Sequence, residues 1–517
     1  MKLNRNTVKI ISLVLCLILC LGIFASCKSS DGSTDLSDGA DGVGGTLDGI
    51  KNDADARPPS DDELSDTTGK VLVENPFVDT SVNPISTFSA DVDTASYAYF
   101  RKLISKGYNA SELKNQFKSS PLRTEEMINY FSYDYPEPAA DNIFGAQMSI
   151  SPTPWNEGSY LMTLGIATAP ALEKGENNLV FLIDVSGSMA TSDKLPLLKS
   201  AFSVLVEGLD ERDTVSIVTY SGKEEVVISG CSGDRKDEIL AAVNSLTPFG
   251  VTNGEAGLTM AYALAQDYFK ENGNNRIILA SDGDLNVGIT SAEELERFVS
   301  EKRDTGIFLS VLGFGTGNYK DDTMSALAEN GNGVYYYIDG EREAQKVLGE
   351  DLLATLYTVA KDVKLQLTFN PEMVSKYRLI GYESRLLDAE DFTDDTKDAG
   401  DVGAGHRVTV CYEIMLHDST EPEGDQTVAQ LGIRYKEPTA SQSIELNYIL
   451  TDASISDDAA DDEKFIGAVI ETAMILNGSA YNARNITLSQ VADTLNSLDL
   501  SGDVYKAEFR DLINAIK

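Results

Sequence analysis

Residues 178–202 read NLVFLIDVSGSMATSDKLPLLKSAF. An apolar run ends on Asp184, and two serines follow at alternate positions, Ser186 and Ser188, with Gly187 between them. From about residue 193 the apolar positions recur at helical spacing. A run too apolar to alternate belongs to a strand buried on both faces, as in a parallel sheet. The stretch therefore reads as strand, turn and helix, with one carboxylate and two hydroxyls at the carboxyl end of the strand. Nucleophile, phosphate cradle, metal site and plain turn are the readings such a turn allows.

The same rhythm extends on the C-terminal side. DTVSIVTY, NRIILASDG, IFLSVLGFG and GVYYYID are further apolar runs, with helical patterns over 193–208, 234–245, 255–271, 291–303, 320–329 and 341–357. EEVVISG at 224–230, close behind VSIVTY, suits one antiparallel edge strand. Residues 177–359 are thus expected to form a doubly wound, mostly parallel α/β domain of Rossmann-like layout. Such sheets bind ligands beyond the carboxyl ends of their strands.

The flanks differ in period. Residues 73–143 read as a helical region, carried by ASYAYFRKLISKGY and LRTEEMINYFSYDYPEP. Alternating strands follow at 144–176, and period-two alternation returns over 360–455 in VKLQLTFN, YRLIGYES, RVTVCYEIML, VAQLGIRYK and SIELNYILT. This predicts a β-sandwich-like domain into which the α/β domain is inserted, both ends of the insert being anchored close together. Residues 456–517 read as a C-terminal helical region.

The N-terminus speaks for the compartment. Lys2, Arg5 and Lys9 precede the apolar segment IISLVLCLILCLGIFA, too short and abruptly ended for an ordinary spanning helix. FASC then sets small residues before Cys27 and resembles a bacterial lipobox, although Phe24 stands where leucine is more usual. Residues 1–26 are read as a lipoprotein signal peptide, with Cys27 as the lipidated N-terminus on the extracytoplasmic face of the cell membrane. Residues 27–72 lack apolar periodicity and are rich in Gly, Ser and Asp, a disordered acidic tether. Its coil span is about 35–40 Å.

The 517 residues carry a formal charge of −40, which becomes −43 once residues 1–26 are removed. That surface repels phosphates and excludes nucleic acid as a partner. Beyond Cys27 the mature chain has two cysteines, Cys231 and Cys411, read as separate buried thiols with a single bridge between them as the alternative, and two histidines, His406 and His417. A disulfide framework, a zinc site and a His-based triad have almost no raw material.

Asp184, Ser186 and Ser188 are oxygen donors placed to converge on one spot. TPFGVTNG offers Thr252 just before the helix at 255–271, and ILASDGDLN offers Asp282 directly after another strand. Oxygen-only sets suit hard divalent cations. Asp-x-Ser-x-Ser alone is usually a turn or a helix cap; three loops at one sheet edge make a metal site the better reading. Ser186 as a nucleophile lacks the glycine two positions before it and any histidine within 178–358. GFGTGNYK lacks a P-loop lysine, an aspartyl phosphotransfer site wants a second Asp where Ser186 stands, and Asp284 reads as a solvated loop carboxylate.

This set resembles the metal-ion-dependent adhesion site of von Willebrand factor type A (VWA) domains. The resemblance implies that Asp184, Ser186, Ser188 and Thr252 surround a divalent cation, with Asp282 acting directly or through water. The cation is expected to be Mg²⁺, with Mn²⁺ or Ca²⁺ as alternatives. One position is left for an acidic group of a protein partner. Neutral hydroxyls leave the ion under-neutralised, so a partner carboxylate completes its charge and its shell. STFSADVDTASYAYFRKLI, RTEEMINYFSYDYPEP and YRLIGYESRLLDAEDFTDDTKDAGDVGAGHRVTVCYEI extend the likeness to bacterial YfbK-like VWA lipoproteins. It covers nearly all of residues 73–517.

The expected function is a membrane-anchored binding protein, not an enzyme, acting in adhesion or envelope assembly. A metal-dependent hydrolase and a chaperone-like assembly subunit are the alternatives. By analogy with integrin-type VWA domains, the helix at 341–357 would carry changes at the metal edge into the sandwich. The acidic residues Glu390, Asp391, Asp394, Asp395, Asp398 and Asp401 read as a solvated hairpin loop, with a second calcium site as the alternative. Trp155 and the tyrosines of YFSYDY and VYYYI read as packing.

Overall fold

The computed structural model describes residues 73–517 apart from 91–92, 140–141, 170–174, 223, 251–254, 272, 284–291, 316–320, 353–357, 398, 418–422, 439 and 441. The first described elements are strands β1 (Val78–Asp79) and β2 (Ile85–Ser89), then helices α1 (Ala95–Ser105), α2 (Ala110–Phe117) and α3 (Thr124–Asn129). The stretch 73–143, read as helical, thus also contributes two strands. Both are too short for period-two alternation to show. They form because strands far along the chain, Val374–Ile380 and Thr358–Phe369, supply their hydrogen-bond partners.

Strands β3 (Phe144–Pro152) and β4 (Tyr160–Thr168) lead into the α/β domain. That domain contains β5 (Asn177–Asp184), α4 (Leu195–Glu207), β6 (Thr214–Tyr220), β7 (Glu224–Ser232), α5 (Lys236–Ser245), α6 (Glu255–Asp267), β8 (Asn274–Ser281), α7 (Ala292–Arg303), β9 (Phe308–Phe314), α8 (Asp321–Asn330), β10 (Tyr335–Ile338) and α9 (Glu341–Lys346). After α9 the chain continues as a π-helical turn, Val347–Asp351; residues 353–357 of the expected helix lie outside the described residues.

The sheet order is β10-β9-β8-β5-β6-β7, parallel except for β7, which pairs antiparallel with β6. All eight residues of β5 are buried. Phe181, Ile183, Phe202 and Leu205 belong to the core on one face, and Val180, Leu182, Leu258 and Leu279 to the core on the other. Because β6 lies on one side of β5 and β8 on the other, the order reverses at β5. That is the switch point where doubly wound sheets open a crevice.

The chain then returns to the flanking domain as β11 (Thr358–Phe369), β12 (Val374–Ile380), β13 (Leu386–Leu387), β14 (Val402–Gly403), β15 (Arg407–Leu416), β16 (Thr427–Lys436) and β17 (Ser443–Thr451). One sheet has the order β1-β12-β15-β4-β3 and the other β13-β2-β11-β16-β17. Their inner faces share one core, in which Leu164, Ile166 and Tyr412 meet Leu365, Leu431 and Ile433. Strands from both sides of the insertion are therefore directly paired, β4 with β15 over eight residues.

Helices α10 (Asp461–Asn477), α11 (Leu488–Ser497) and α12 (Val504–Ile516) close the chain and share an apolar core with α1–α3. Trp155 is fully buried in that core. Helix α1 also packs on the α/β domain: Ala95 and Ala98 join the cluster of Tyr335 and Tyr337. The buried Asp93 accepts a hydrogen bond from the Tyr335 amide at 2.9 Å, which satisfies a donor on edge strand β10. Cys231 and Cys411 are both free and buried. Among the described residues no helix is long and apolar enough to cross a membrane; Cys27 and the segment before it lie outside them.

Candidate metal centre

Asp184 is the last residue of β5 and is fully buried. Register pairs Ile183 with Ala280 of β8, so the ends of β5 and β8 lie side by side and Asp282 leaves β8 next to Asp184. The Ser186 amide donates to Asp184 Oδ1 at 2.7 Å, curling the chain into a short 3₁₀ turn, Gly187–Ala190. The curl brings Ser186 Oγ within 2.9 Å of Ser188 Oγ. Ser186 is buried and Ser188 is exposed, so the hydroxyl pair runs from the sheet edge to solvent.

A second loop is latched to this turn. The Phe249 amide donates to the Val185 carbonyl at 2.6 Å, and the Gly187 amide donates to the Gly250 carbonyl at 3.2 Å. Gly250 has φ +85°, a left-handed conformation that glycine takes without penalty. The chain is thereby fixed two residues before Thr252, which lies outside the described residues, as does Asp284. Three of the four protein-loop donors beside Asp184 expected from the sequence, Ser186, Ser188 and Asp282, are thus at one rim.

Two neighbours of this rim escape the motif. Lys194 donates to Asp282 Oδ2 at 2.7 Å and to the Ser188 carbonyl at 2.9 Å. Tyr220, buried at the end of β6, interacts electrostatically with both Asp184 and Asp282. Neither carries a spacing signal, because each reaches the rim from its own strand end or helix head.

Burial pushes the Asp184 carboxyl up to about 6; the Ser186 amide opposes this and the charge on Asp282 adds to it. Among the described residues Asp184 Oδ2 is buried without a hydrogen-bond partner. A buried carboxylate oxygen left unpaired is costly. Two carboxylates, two hydroxyls and one orphaned oxygen fit a hard divalent cation. Among the described residues no group of three or more His, Cys, Asp or Glu side chains is gathered as a metal cluster; the hydroxyls are what complete this donor set.

The nucleophile reading gains nothing from the geometry. Ser186 Oγ faces Ser188 Oγ, while His417 Nε2 is 3.1 Å from the Pro371 carbonyl oxygen in the sandwich, and His406 lies there too. The acidic loop is held by lysines. Lys364 donates to the carbonyls of Asp391 and Asp394, and Lys436 to the Asp395 carbonyl and the Asp362 carboxylate. Arg434 and Ser443 take Asp395 Oδ1 at 2.9 and 2.6 Å. Lysines thus hold the loop through its carbonyls and Arg434 pairs with Asp395, which favours the hairpin reading over a calcium site; Asp398 lies outside the described residues.

Residues 354–517 match the family described as uncharacterized protein YfbK, C-terminal, residues 178–350 match the von Willebrand factor type A domain, and residues 65–163 match von Willebrand factor. The chain is 39% identical to the uncharacterized protein YfbK of Escherichia coli (strain K12) over 466 residues, covering 85% of this chain and 79% of that protein. It is 29% identical to inter-alpha-trypsin inhibitor heavy chain H3 of Homo sapiens over 179 residues, or 32% of this chain and 20% of that protein. Among solved structures, von Willebrand factor type A from Catenulispora acidiphila shares 15% identity at a TM-score of 0.39, over 68% of this chain and 86% of that one. Proximal thread matrix protein 1 from the mussel byssus, described with a zinc-occupied MIDAS motif, shares 22% identity at a TM-score of 0.30, over 35% of this chain and 45% of that one.

Proposed function

This chain belongs to the YfbK-like family and carries a VWA domain, and we propose that it is a metal-dependent binding protein tethered to the outer face of a bacterial cell membrane. Its site is Asp184, Ser186, Ser188, Thr252 and Asp282. When bound, a divalent cation, Mg²⁺ before Mn²⁺ or Ca²⁺, supplies positive charge and an open coordination position to an acidic group of a protein partner. Asp184 anchors the site from the buried strand end, Ser186 and Ser188 add uncharged donors, and Asp282 adds the second carboxylate. The anchor is a lipid on Cys27, with the acidic stretch 27–72 as spacer.

The observation that supports this reading is the buried Oδ2 of Asp184, orphaned among the described residues, beside two serine hydroxyls at the switch point of the sheet. Calorimetric titration of the purified chain with Mg²⁺ or Mn²⁺ tests it. Saturable binding of one ion, abolished by EDTA and by Asp184→Ala, is expected. Equal binding by the wild type and Asp184→Ala would place any metal elsewhere. Metal-dependent turnover of esters or phosphates by the purified chain would replace the binding role with catalysis.

A further inference from the structure

Lys194 stands at the head of α4, six residues after Ser188. Its contacts are built rather than incidental. Its side chain is 13% exposed and the Asp282 side chain 2%. Its stem lies over Gly315, just beyond the end of β9, which has φ +76°; a Cβ there would stand 2.2 Å from Lys194 Cε. The Tyr337 hydroxyl donates to the Gly315 carbonyl and fixes that backbone from another strand. The Lys194 amide in turn donates to the Thr191 carbonyl at 3.1 Å, closing the turn that presents the side chain. A glycine that leaves room for the stem, a carbonyl of the serine turn and the second acidic residue of the rim together define one position for this ammonium.

We infer that Lys194 is the resident counter-ion of the rim and weakens its hold on a divalent cation. The inference rests on the metal-binding reading above. Asp184 and Asp282 give the donor set two negative charges, and the ammonium on Asp282 cancels one of them. A cation that shares Asp282 with Lys194 is also repelled by it, and repulsion between buried charges is poorly screened. Affinity of oxygen sites for hard cations follows the charge count of the ligands. A weak hold keeps the ion exchangeable and electron-poor, which suits a site that offers a position to a carboxylate from another molecule.

The test uses the full chain, with Mn²⁺ as the probe. Lys194→Met keeps the stem over Gly315 and removes the charge. Its Mn²⁺ affinity, read by calorimetry and by the loss of the free-ion EPR signal, should rise about tenfold or more over wild type. Its metal-free melting temperature should fall, because Asp282 loses its ammonium. Lys194→Arg retains the charge and should stay close to wild type. Gly315→Ala, whose Cβ would push the stem aside, gives the same tightening by an independent route and decides the matter if Lys194→Met does not fold. Wild-type or weaker affinity in these charge-removing or stem-displacing variants overturns the inference while the metal site stands. Failure of wild type and Lys194→Met alike to bind Mn²⁺ overturns the metal reading and the inference together.

Discussion

Arg101 of α1 and Glu343 of α9 are 2.6 Å apart, although 242 residues of chain separate them. The same guanidinium reaches Asp339 at 2.6 Å and Glu508 at 2.9 Å, donates to the Tyr130 hydroxyl at 2.9 Å and lies over the Tyr97 ring. Three parts of the molecule meet on one side chain: the N-terminal helices, the end of the VWA domain and the last helix. Lys346 adds a second clasp, bonded to Asp351 at 2.7 Å and lying over the Tyr130 ring. The last helix of the VWA domain is therefore gripped by the flanking helices before the chain re-enters the sandwich.

Replacing Arg101 with methionine takes the guanidinium from the buried Glu343 and the half-buried Asp339. Breaking a buried ion pair on one side costs about 3–5 kcal/mol. Urea unfolding of Arg101→Met should show a loss of that order, and adding Glu343→Gln should recover part of it. A loss below about 1 kcal/mol would mean that solvent replaces the guanidinium and that the clasp contributes little.

At the metal rim, a cation that binds the folded chain alone stabilises it by about 2.7 kcal/mol at 100 times its dissociation constant. Wild-type protein should therefore melt higher in Mn²⁺ than in EDTA. Asp184→Asn should abolish the difference, and Thr252→Ala should reduce it without abolishing it. A full metal-dependent shift in Asp184→Asn would remove Asp184 from the site.

Glu471 on α10 provides a pH dependence far from the rim. Burial pushes its carboxyl up to about 7, against about 4.3 in an unfolded chain. A raised folded value means that the folded state holds the proton longer. Its contribution is present in full below about pH 4 and is lost as the pH rises through 7. Glu471→Gln should remove this loss. Its stability relative to wild type should improve between pH 5 and 8 by roughly 3 kcal/mol. A relative stability that does not change with pH would show that the two states titrate alike.

The lipid proposed for Cys27 predicts that the chain fractionates with membranes and that Cys27→Ser moves it to the soluble fraction, because acyl chains would supply the membrane affinity. Labelling with a radioactive fatty acid reads the same change directly. Retention of Cys27→Ser in membranes, unlabelled, would assign anchoring to the apolar segment before it.

Much of the rim is legible in the chain because its signals are local. An apolar run long enough to be buried on both faces must end where Asp184 stands, and Asp282 follows another such run. Ser186 and Ser188 lie within two and four residues of Asp184, so a single turn brings them together. Strand β2 is not legible. Its five residues, ISTFS, carry too short a pattern, and they become a strand through hydrogen bonds to β11.

Taken by itself, the sequence determined the alternation of buried strands and helices, the doubly wound layout that follows from it, and the oxygen donors at the strand ends. These depend on periodicity and on neighbours a few residues apart, where bond geometry leaves little choice. Tertiary structure alone decided that Lys194 sits on Asp282, that Arg101 joins α1 to α9 and α12, and that lysines fill the acidic loop. Each of those contacts links segments whose separation in the chain says nothing about their distance. What selects them is burial, which makes an unpaired charge costly and so favours a cation on an enclosed carboxylate where the fold brings one near.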